Sequence, residues 1–207
     1  MKIAASILSV RENLEASILK LGRGSTDYIH LDVVDGRFAS NKKEYENVKE
    51  ILLQTKKPLD VHLMVNDIAY YISIYKEFSP IYMTFHLEVA DSPLLFIEQI
   101  KSYSKVGISI KPHTEVTAIF PYLNKIDLVS LMSVEPGFGG QSFIDVTDKI
   151  EVLKQYRKDH HLSFLIEVDG GINKDTINKV KDADIVVVGS YITNAEDYEK
   201  QIRNLKN

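Results

Sequence analysis

Four side chains that can bind a metal ion lie late in three apolar segments of the sequence. His30 and Asp32 belong to YIHLDV, His62 belongs to LDVHLM, and Asp169 follows FLIEV. Residues two apart in a β-strand point to the same side, and the ends of parallel strands meet at one edge, so the four side chains are expected to converge. Any one of them alone could simply satisfy a hydrogen bond at a strand end. Together, two neutral imidazoles and two carboxylates predict one divalent ion such as Zn²⁺, Fe²⁺, Mn²⁺ or Co²⁺, because Mg²⁺ and Ca²⁺ prefer oxygen ligands.

Glycines follow the last three apolar segments of the chain. Without a Cβ, a glycine lets backbone N–H groups approach an anion closely. The last loops of a barrel often hold phosphate in this way, so three such loops at one end predict a phosphorylated ligand. The three segments are PGFGG at 136–140, Gly170–Gly171 and Gly189–Ser190.

The elements that would position these residues alternate regularly. Between the apolar segments lie stretches with helical spacing, such as Leu14, Ile18 and Leu19, or Ile177 and Val180. This alternation predicts parallel strands with right-handed helical crossovers, and therefore a single (β/α)₈ TIM barrel over residues 1–207. A doubly wound open sheet is the alternative, but its usual G-x-G-x-x-G is missing, since residues 9–14 read SVRENL. The eight expected strands are residues 3–8, 28–33, 59–64, 81–87, 106–110, 127–132, 163–168 and 184–188.

Composition excludes several classes of protein. The 207 residues include no cysteine, which removes disulfides, thiolate metal sites and thiol nucleophiles. Twenty-five basic and 29 acidic residues give a net charge of −4, so the chain lacks the basic surface of a nucleic-acid binder. The N-terminal MKIAASILSV is too short in apolar length for a signal peptide or a membrane span. We therefore expect a cytoplasmic protein with no nucleic-acid or membrane partner, and we expect a homo-oligomer in which Tyr70, Tyr71 and Tyr75 form either internal packing or a subunit contact.

Several of these segments closely resemble the signatures of ribulose-phosphate 3-epimerases. They are HLDVVDGRF at 30–38, LDVHLM at 59–64, MSVEPGFGGQSF at 132–143 and EVDGG at 167–171, with SIL at 6–8 matching the opening strand. The resemblance covers nearly the whole chain in the right order. It implies a ribulose-phosphate-binding barrel that uses a metal ion to interconvert D-ribulose 5-phosphate and D-xylulose 5-phosphate, in the pentose phosphate pathway of carbohydrate metabolism.

The resemblance also implies roles for individual residues. The metal ligands would be His30, Asp32, His62 and Asp169, and Asp32 and Asp169 would be the acid/base pair. The substrate would contact Ser6, His62, Met64 and Met132. Its phosphate would be held by Gly139, Gly140, Gly170, Gly171, Gly189 and Ser190. These roles agree with the chemistry, because inverting a carbon beside a ketone requires proton removal on one face and proton return on the other. The proton is weakly acidic, so the developing enediolate needs a positive charge beside it.

The chain departs from the family near the second strand. Val34 stands where methionine is usual, and the loop Arg37–Glu44 replaces the common His-Phe-Val-Pro-Asn turn. An epimerase for a six-carbon ketose phosphate such as allulose 6-phosphate and a non-catalytic sugar-phosphate-binding paralogue are therefore alternatives. A decarboxylase of the orotidine-phosphate type is disfavoured, because it would carry a lysine in Asp-x-Lys-x-x-Asp and residues 30–35 read HLDVVD. His86 completes no ligand set, and we expect it to be a hydrogen-bonded histidine behind the site or in the core.

Overall fold

Eight parallel strands close into a barrel, because the first strand pairs with both the second and the last. The structure is a computed structural model that describes residues 1–206. A two-residue strand, Lys42–Lys43, adds an antiparallel pairing to the end of the second barrel strand. The barrel strands are β1 (Lys2–Ser6), β2 (Tyr28–Asp35), β3 (Leu59–Met64), β4 (Tyr82–His86), β5 (Lys105–Ile110), β6 (Leu128–Met132), β7 (Leu165–Asp169) and β8 (Ile185–Val188).

The expected (β/α)₈ barrel is confirmed, with shifts at strand ends. The first strand is shorter than expected and stops at Ser6, whereas β7 extends to Asp169, which pairs in register with Met132. Asp169 is therefore the last residue of its strand rather than the first residue of the loop. Of the 1–207 range that we assigned to the barrel, residue 207 lies outside the described residues.

The crossovers are a mixture of α-helices and 3-10 turns. The spacing of Ile177 and Val180 predicted an α-helix. This prediction was wrong, because residues Ile177–Val180 form a 3-10 segment. Pro121 lies inside another 3-10 segment, where its missing N–H prevents a regular helix. None of the described helices has both the length and the apolar character needed to cross a bilayer. The α-helices are Leu14–Arg23, Lys49–Gln54, Ile68–Tyr75, Pro93–Lys101, Thr147–Asp159, Ser190–Thr193 and Tyr198–Lys206, and the 3-10 segments are Glu46–Val48, Lys76–Phe78, Leu87–Val89, Val116–Tyr122 and Ile177–Val180.

Strand alternation divides the barrel into an apolar outer layer and a polar centre. On β2, Ile29, Leu31 and Val33 belong to the large apolar cluster between the strands and the helices. His30 and Asp32, which alternate with them, are also buried but face the barrel centre. The same two-residue period on β3 and β7 sends further polar side chains inward. The apolar outer layer therefore holds the strands in place, while the centre is free to carry chemistry.

Candidate metal and substrate site

His30, Asp32, His62 and Asp169 meet at the carboxyl end of the barrel. One ligand atom from each residue lies within 4.8 Å of the corresponding atoms of the other three, and all four residues are buried. His62 Nδ1 is 3.1 Å from Asp169 Oδ2 and 3.8 Å from Asp32 Oδ1. The convergence that the sequence predicted is thus present, built from strands β2, β3 and β7.

His30 is oriented by a carboxylate on the neighbouring strand. Its Nδ1 is 2.8 Å from Asp60 Oδ2, which leaves Nε2 facing the centre of the site. In the part of the chain that the structure describes, Nε2 has no hydrogen-bond partner, and it lies 3.4 Å from Asp32 Oδ1 and 3.7 Å from Asp169 Oδ2. Burial opposes a charge on this ring, but Asp32 and Asp60 outweigh it and hold the pKa of His30 well above its usual range. The surroundings of His30 therefore favour a positive charge at this point.

His62 uses both ring nitrogens in side-chain contacts. Nδ1 faces the carboxylates of the site, whereas Nε2 is 2.9 Å from Nε2 of His86 on β4. His86 is fully buried, and its ring stacks on His62 with centroids 4.9 Å apart. Burial lowers the pKa of His86 to about 4, so this ring is neutral near pH 7. His86 thus lies directly behind a candidate ligand.

Ser6 on β1 fixes the orientation of Asp32. Its hydroxyl donates to Asp32 Oδ2 at 2.6 Å. Burial alone would raise the pKa of Asp32, but His30, His62 and the Ser6 hydroxyl together keep it below the usual value. Asp32 is therefore ionised at neutral pH and presents Oδ1 to the two histidines.

The donor set fits a divalent transition ion. Ligand atoms of the right chemical types from four buried residues lie close together, and His30 Nε2, which has no hydrogen-bond partner among residues 1–206, faces the other three. Two imidazole nitrogens and two carboxylate oxygens match the preference of Zn²⁺, Fe²⁺, Mn²⁺ or Co²⁺. A cation at their centre would also neutralise the repulsion between the carboxylates of Asp32 and Asp169.

A cleft opens above these residues. The three glycine-containing loops come together on it, as the sequence predicted. His30 and His62 do not line the cleft, because both are buried beneath its surface. The predicted residues that do line it are Ser6, Asp32, Met64, Met132, Gly139, Gly140, Asp169, Gly170, Gly171, Gly189 and Ser190.

The conformation of Gly171 explains why this loop requires glycine. Its φ is +65°, and a Cβ would lie 2.7 Å from the Cα of Phe143 and 2.8 Å from its backbone nitrogen. No other residue fits there without moving the loop that follows β6. The loops after β6 and β7 therefore approach each other closely at the cleft.

The loop after β2, which departs from the family pattern, packs against the side of the site. Asn41 Nδ2 donates to the carbonyl of Gly137 at 3.1 Å, linking this loop to the glycine loop after β6. The Phe38 ring lies over His86, with centroids 4.6 Å apart. Val34, which stands where the family usually has methionine, is buried and does not line the cleft. The valine side chain therefore makes no contact in the cleft in place of the methionine sulfur.

Three acidic residues near the site were missed in the sequence. Asp60 contacts His30, Glu88 contacts His86, and burial raises the pKa of Glu167 well above its usual range, with a further contribution from Asp60. Asp60 is two residues before His62, and Glu167 two before Asp169. This same-face spacing was the signal available in the sequence for the first and third of them.

Comparisons with known proteins agree with this geometry. The Ribulose-phosphate 3 epimerase family matches residues 2–193. A ribulose-phosphate 3-epimerase of Helicobacter pylori strain J99 is 36% identical over 217 residues, covering 100% of this chain and 97% of the relative. One from Aquifex aeolicus strain VF5 is 37% identical over 214 residues, covering 99% and 95%. A crystal structure of 3-hexulose-6-phosphate synthase shares the fold. Its TM-score is 0.70 at 15% identity, and the match covers 100% of this chain and 98% of that one. The chain therefore belongs to the ribulose-phosphate 3-epimerase family.

Proposed function

We propose that this protein inverts C3 of a ketose phosphate, interconverting D-ribulose 5-phosphate and D-xylulose 5-phosphate. The observation that carries the proposal is the buried set of His30, Asp32, His62 and Asp169 beneath a cleft bordered by three glycine loops. Membership of the epimerase family supports the same reaction. Binding a sugar phosphate alone would not require two carboxylates in the floor of the cleft.

Asp32 and Asp169 act as the two proton-transfer groups. They come from β2 and β7, and both line the cleft, so the substrate can lie between them. One carboxylate removes the C3 proton, which leaves an enediolate across C2 and C3. The other, in its protonated form, returns a proton to the opposite face, which inverts the configuration. The Ser6 hydroxyl, which lines the cleft beside Asp32, holds that carboxylate in place and contacts the substrate.

One divalent ion, held by His30, Asp32, His62 and Asp169, is the cofactor in this proposal. When bound, such an ion supplies the positive charge that stabilises the enediolate oxygens. Met64 and Met132 line the cleft around the position of the enediolate and exclude water from it. Zn²⁺, Fe²⁺, Mn²⁺ and Co²⁺ all suit the donor set.

The phosphate of the substrate binds to backbone N–H groups of the glycine loops. Gly139, Gly140, Gly170, Gly171 and Gly189, together with Ser190, border one side of the cleft. Their small side chains let a phosphate approach the backbone directly. Binding the phosphate at this end directs C2 and C3 of the substrate toward Asp32 and Asp169.

Solvent exchange at C3 tests the proposed reaction. In D₂O, ribulose 5-phosphate should gain deuterium at C3 and form xylulose 5-phosphate, and a chelator should abolish both changes. If no deuterium enters C3 whichever ion is supplied, Zn²⁺, Fe²⁺, Mn²⁺ or Co²⁺, the epimerase function is refuted. A non-catalytic sugar-phosphate-binding role is then favoured. Exchange that persists after complete removal of metal would refute the metal requirement.

A six-carbon ketose phosphate is the second candidate substrate. It is favoured by the altered Arg37–Glu44 loop, which contacts the cleft through Asn41 and Gly137. One or two additional substrate atoms change selectivity by about 10- to 200-fold. Values of kcat/KM for ribulose 5-phosphate and allulose 6-phosphate should therefore separate the two candidates. Because Val34 lies outside the cleft, we expect Val34→Met to leave metal binding intact and to alter the ratio of these values within that range, through the adjoining loop.

Self-association and location complete the proposal. Tyr70, Leu94 and Leu95 are 56%, 52% and 64% exposed on two neighbouring helices, and we assign this apolar face to contact between copies of the chain. Tyr71 and Tyr75 are buried and serve packing instead. Sedimentation of the wild type and of Leu95→Glu tests the assignment, which predicts that only the variant is a monomer.

A cytoplasmic location, a role in the pentose phosphate pathway and one catalytic domain over the whole chain belong to the same proposal.

A further inference from the structure

The two nitrogens of His62 must have different protonation states if His62 is a metal ligand. Nδ1 faces the site, and a nitrogen binds a cation only when it carries no proton. However, Asp169 Oδ2 lies 3.1 Å from Nδ1 and attracts a proton to it. Some other contact must therefore keep the proton of the neutral ring on Nε2.

His86 occupies the position from which this can be done. The Nε2 atoms of His62 and His86 are 2.9 Å apart, so one of them donates a hydrogen bond and the other accepts it. The direction of this bond depends on where His86 carries its own proton. A proton on Nδ1 of His86 leaves its Nε2 as the acceptor, and His62 must then donate from Nε2.

Glu88 determines the position of that proton. Its Oε2 is 3.1 Å from Nδ1 of His86. Its Oε1 accepts from the backbone N–H of Lys111 at 2.6 Å and from the Thr114 hydroxyl at 2.5 Å. Two donors thus fix the carboxylate in place with Oε2 directed at His86. An ionised carboxylate only accepts hydrogen bonds, so His86 must carry its proton on Nδ1.

We propose that Glu88 and His86 are positioning residues that fix the tautomer of His62 and leave its Nδ1 bare for the metal ion. The inference rests on the proposed metal site and adds two residues that touch neither ion nor substrate. Water does not replace the relay, because His86 is fully buried and the Phe38 ring covers it. His30 differs in receiving its orientation from Asp60 directly.

Glu88→Gln is the decisive variant. The new amide oxygen can keep the contacts to Lys111 and Thr114, which places the NH₂ group against Nδ1 of His86. That nitrogen must then accept, so the proton of His86 moves to Nε2 and opposes the proton of His62. Zn²⁺ affinity, measured by competition with a chelator, should fall by about 10- to 100-fold. Glu46→Gln is the matched control, since the Glu46 carboxylate accepts a single hydrogen bond within residues 1–206, at 3.4 Å from the Tyr75 hydroxyl, and it should bind Zn²⁺ as the wild type does.

Two substitutions at His86 separate tautomer control from simple packing. The amide of His86→Gln can accept from His62 Nε2 and donate to Glu88, so it should keep Zn²⁺ affinity within about threefold. His86→Leu fills the space but cannot accept, so it should lose about 10- to 100-fold. Equal losses in both folded variants would show that His86 only packs, and would overturn the proposal.

Nitrogen-15 spectra of the Zn²⁺-loaded wild type provide a direct readout. The proposal requires His86 to be the Nδ1–H tautomer and His62 to carry its proton on Nε2. An Nε2–H tautomer at His86, or Zn²⁺ affinity in Glu88→Gln within threefold of wild type, overturns the relay alone. Failure of the wild type to bind Zn²⁺, Fe²⁺, Mn²⁺ or Co²⁺ overturns the proposed metal site itself.

Discussion

Replacing Gly171 with alanine should destabilise the protein more than the same change at Gly140. Both glycines border the cleft and have left-handed backbones, with φ of +65° and +77° respectively. Alanine in this conformation costs about 1 to 2 kcal/mol at either position. At Gly171 the new Cβ also meets the backbone of Phe143 at 2.7 Å, whereas at Gly140 no described residue other than the two chain neighbours comes within 4 Å of it.

The steric overlap at Gly171 adds about 1 to 3 kcal/mol, because backbone atoms cannot move aside as a flexible side chain can. Gly171→Ala should therefore lose about 2 to 5 kcal/mol of unfolding free energy and Gly140→Ala only about 1 to 2 kcal/mol. Urea unfolding of both variants beside the wild type measures the difference. If the two losses agree within about 0.5 kcal/mol, the close approach of the two loops does not exist as described. The KM for ribulose 5-phosphate should also rise in Gly171→Ala, because the displaced loop carries the proposed phosphate donors.

Three other predictions follow from the site and the loop beside it. Asp32→Asn or Asp169→Asn should lower the epimerisation rate by several orders of magnitude; a loss of less than tenfold, about 1.4 kcal/mol, would remove that residue from the mechanism. Purified protein should contain about one divalent transition ion per chain by elemental analysis, and a metal-free preparation with full activity would contradict this. Burial opposes ionisation of Asp35, but the backbone N–H groups of Asn66, Phe38 and Arg37 outweigh it and lower the Asp35 pKa. The stabilising effect of the ionised Asp35 carboxylate should be complete above about pH 4 and should disappear as the pH falls through the lowered pKa. The difference in unfolding free energy between wild type and Asp35→Asn should therefore shrink over this range, and a difference that does not change with pH would refute the prediction.

Local sequence pattern was sufficient to predict the barrel and the four candidate ligands. The alternation on β2 sends Ile29 and Leu31 outward and His30 and Asp32 inward, and this follows from strand geometry alone. Asp169 was predicted to follow its strand, whereas it is the last residue of β7. The end of this strand depends on its pairing with β6, which no local pattern encodes. The Ile177 and Val180 error has a similar origin, since the spacing of one turn does not distinguish a 3-10 segment from an α-helix.

Side-chain contacts between residues distant in sequence could not be predicted from the local sequence pattern. Asp60 and His30 are thirty residues apart, and their 2.8 Å contact arises only when β2 and β3 pair in register. The Phe38 contact with His86 likewise depends on the path of a loop rather than on any periodicity. The sequence therefore indicates which residues face the barrel centre, while closure of the sheet determines which of them touch.

The barrel centre carries more negative charge than its own histidines can balance. Asp32, Asp60 and Asp169 are all buried around His30, and burying carboxylates is costly unless positive charge or hydrogen bonds compensate. Burial and the neighbouring Asp60 raise the pKa of Glu167 well above its usual range, which favours the uncharged form of that carboxyl and so limits this repulsion. A divalent ion would relieve more, and a ligand that binds only the folded state stabilises it by mass action. The same arrangement that destabilises the barrel by itself would thus favour binding of the proposed divalent ion.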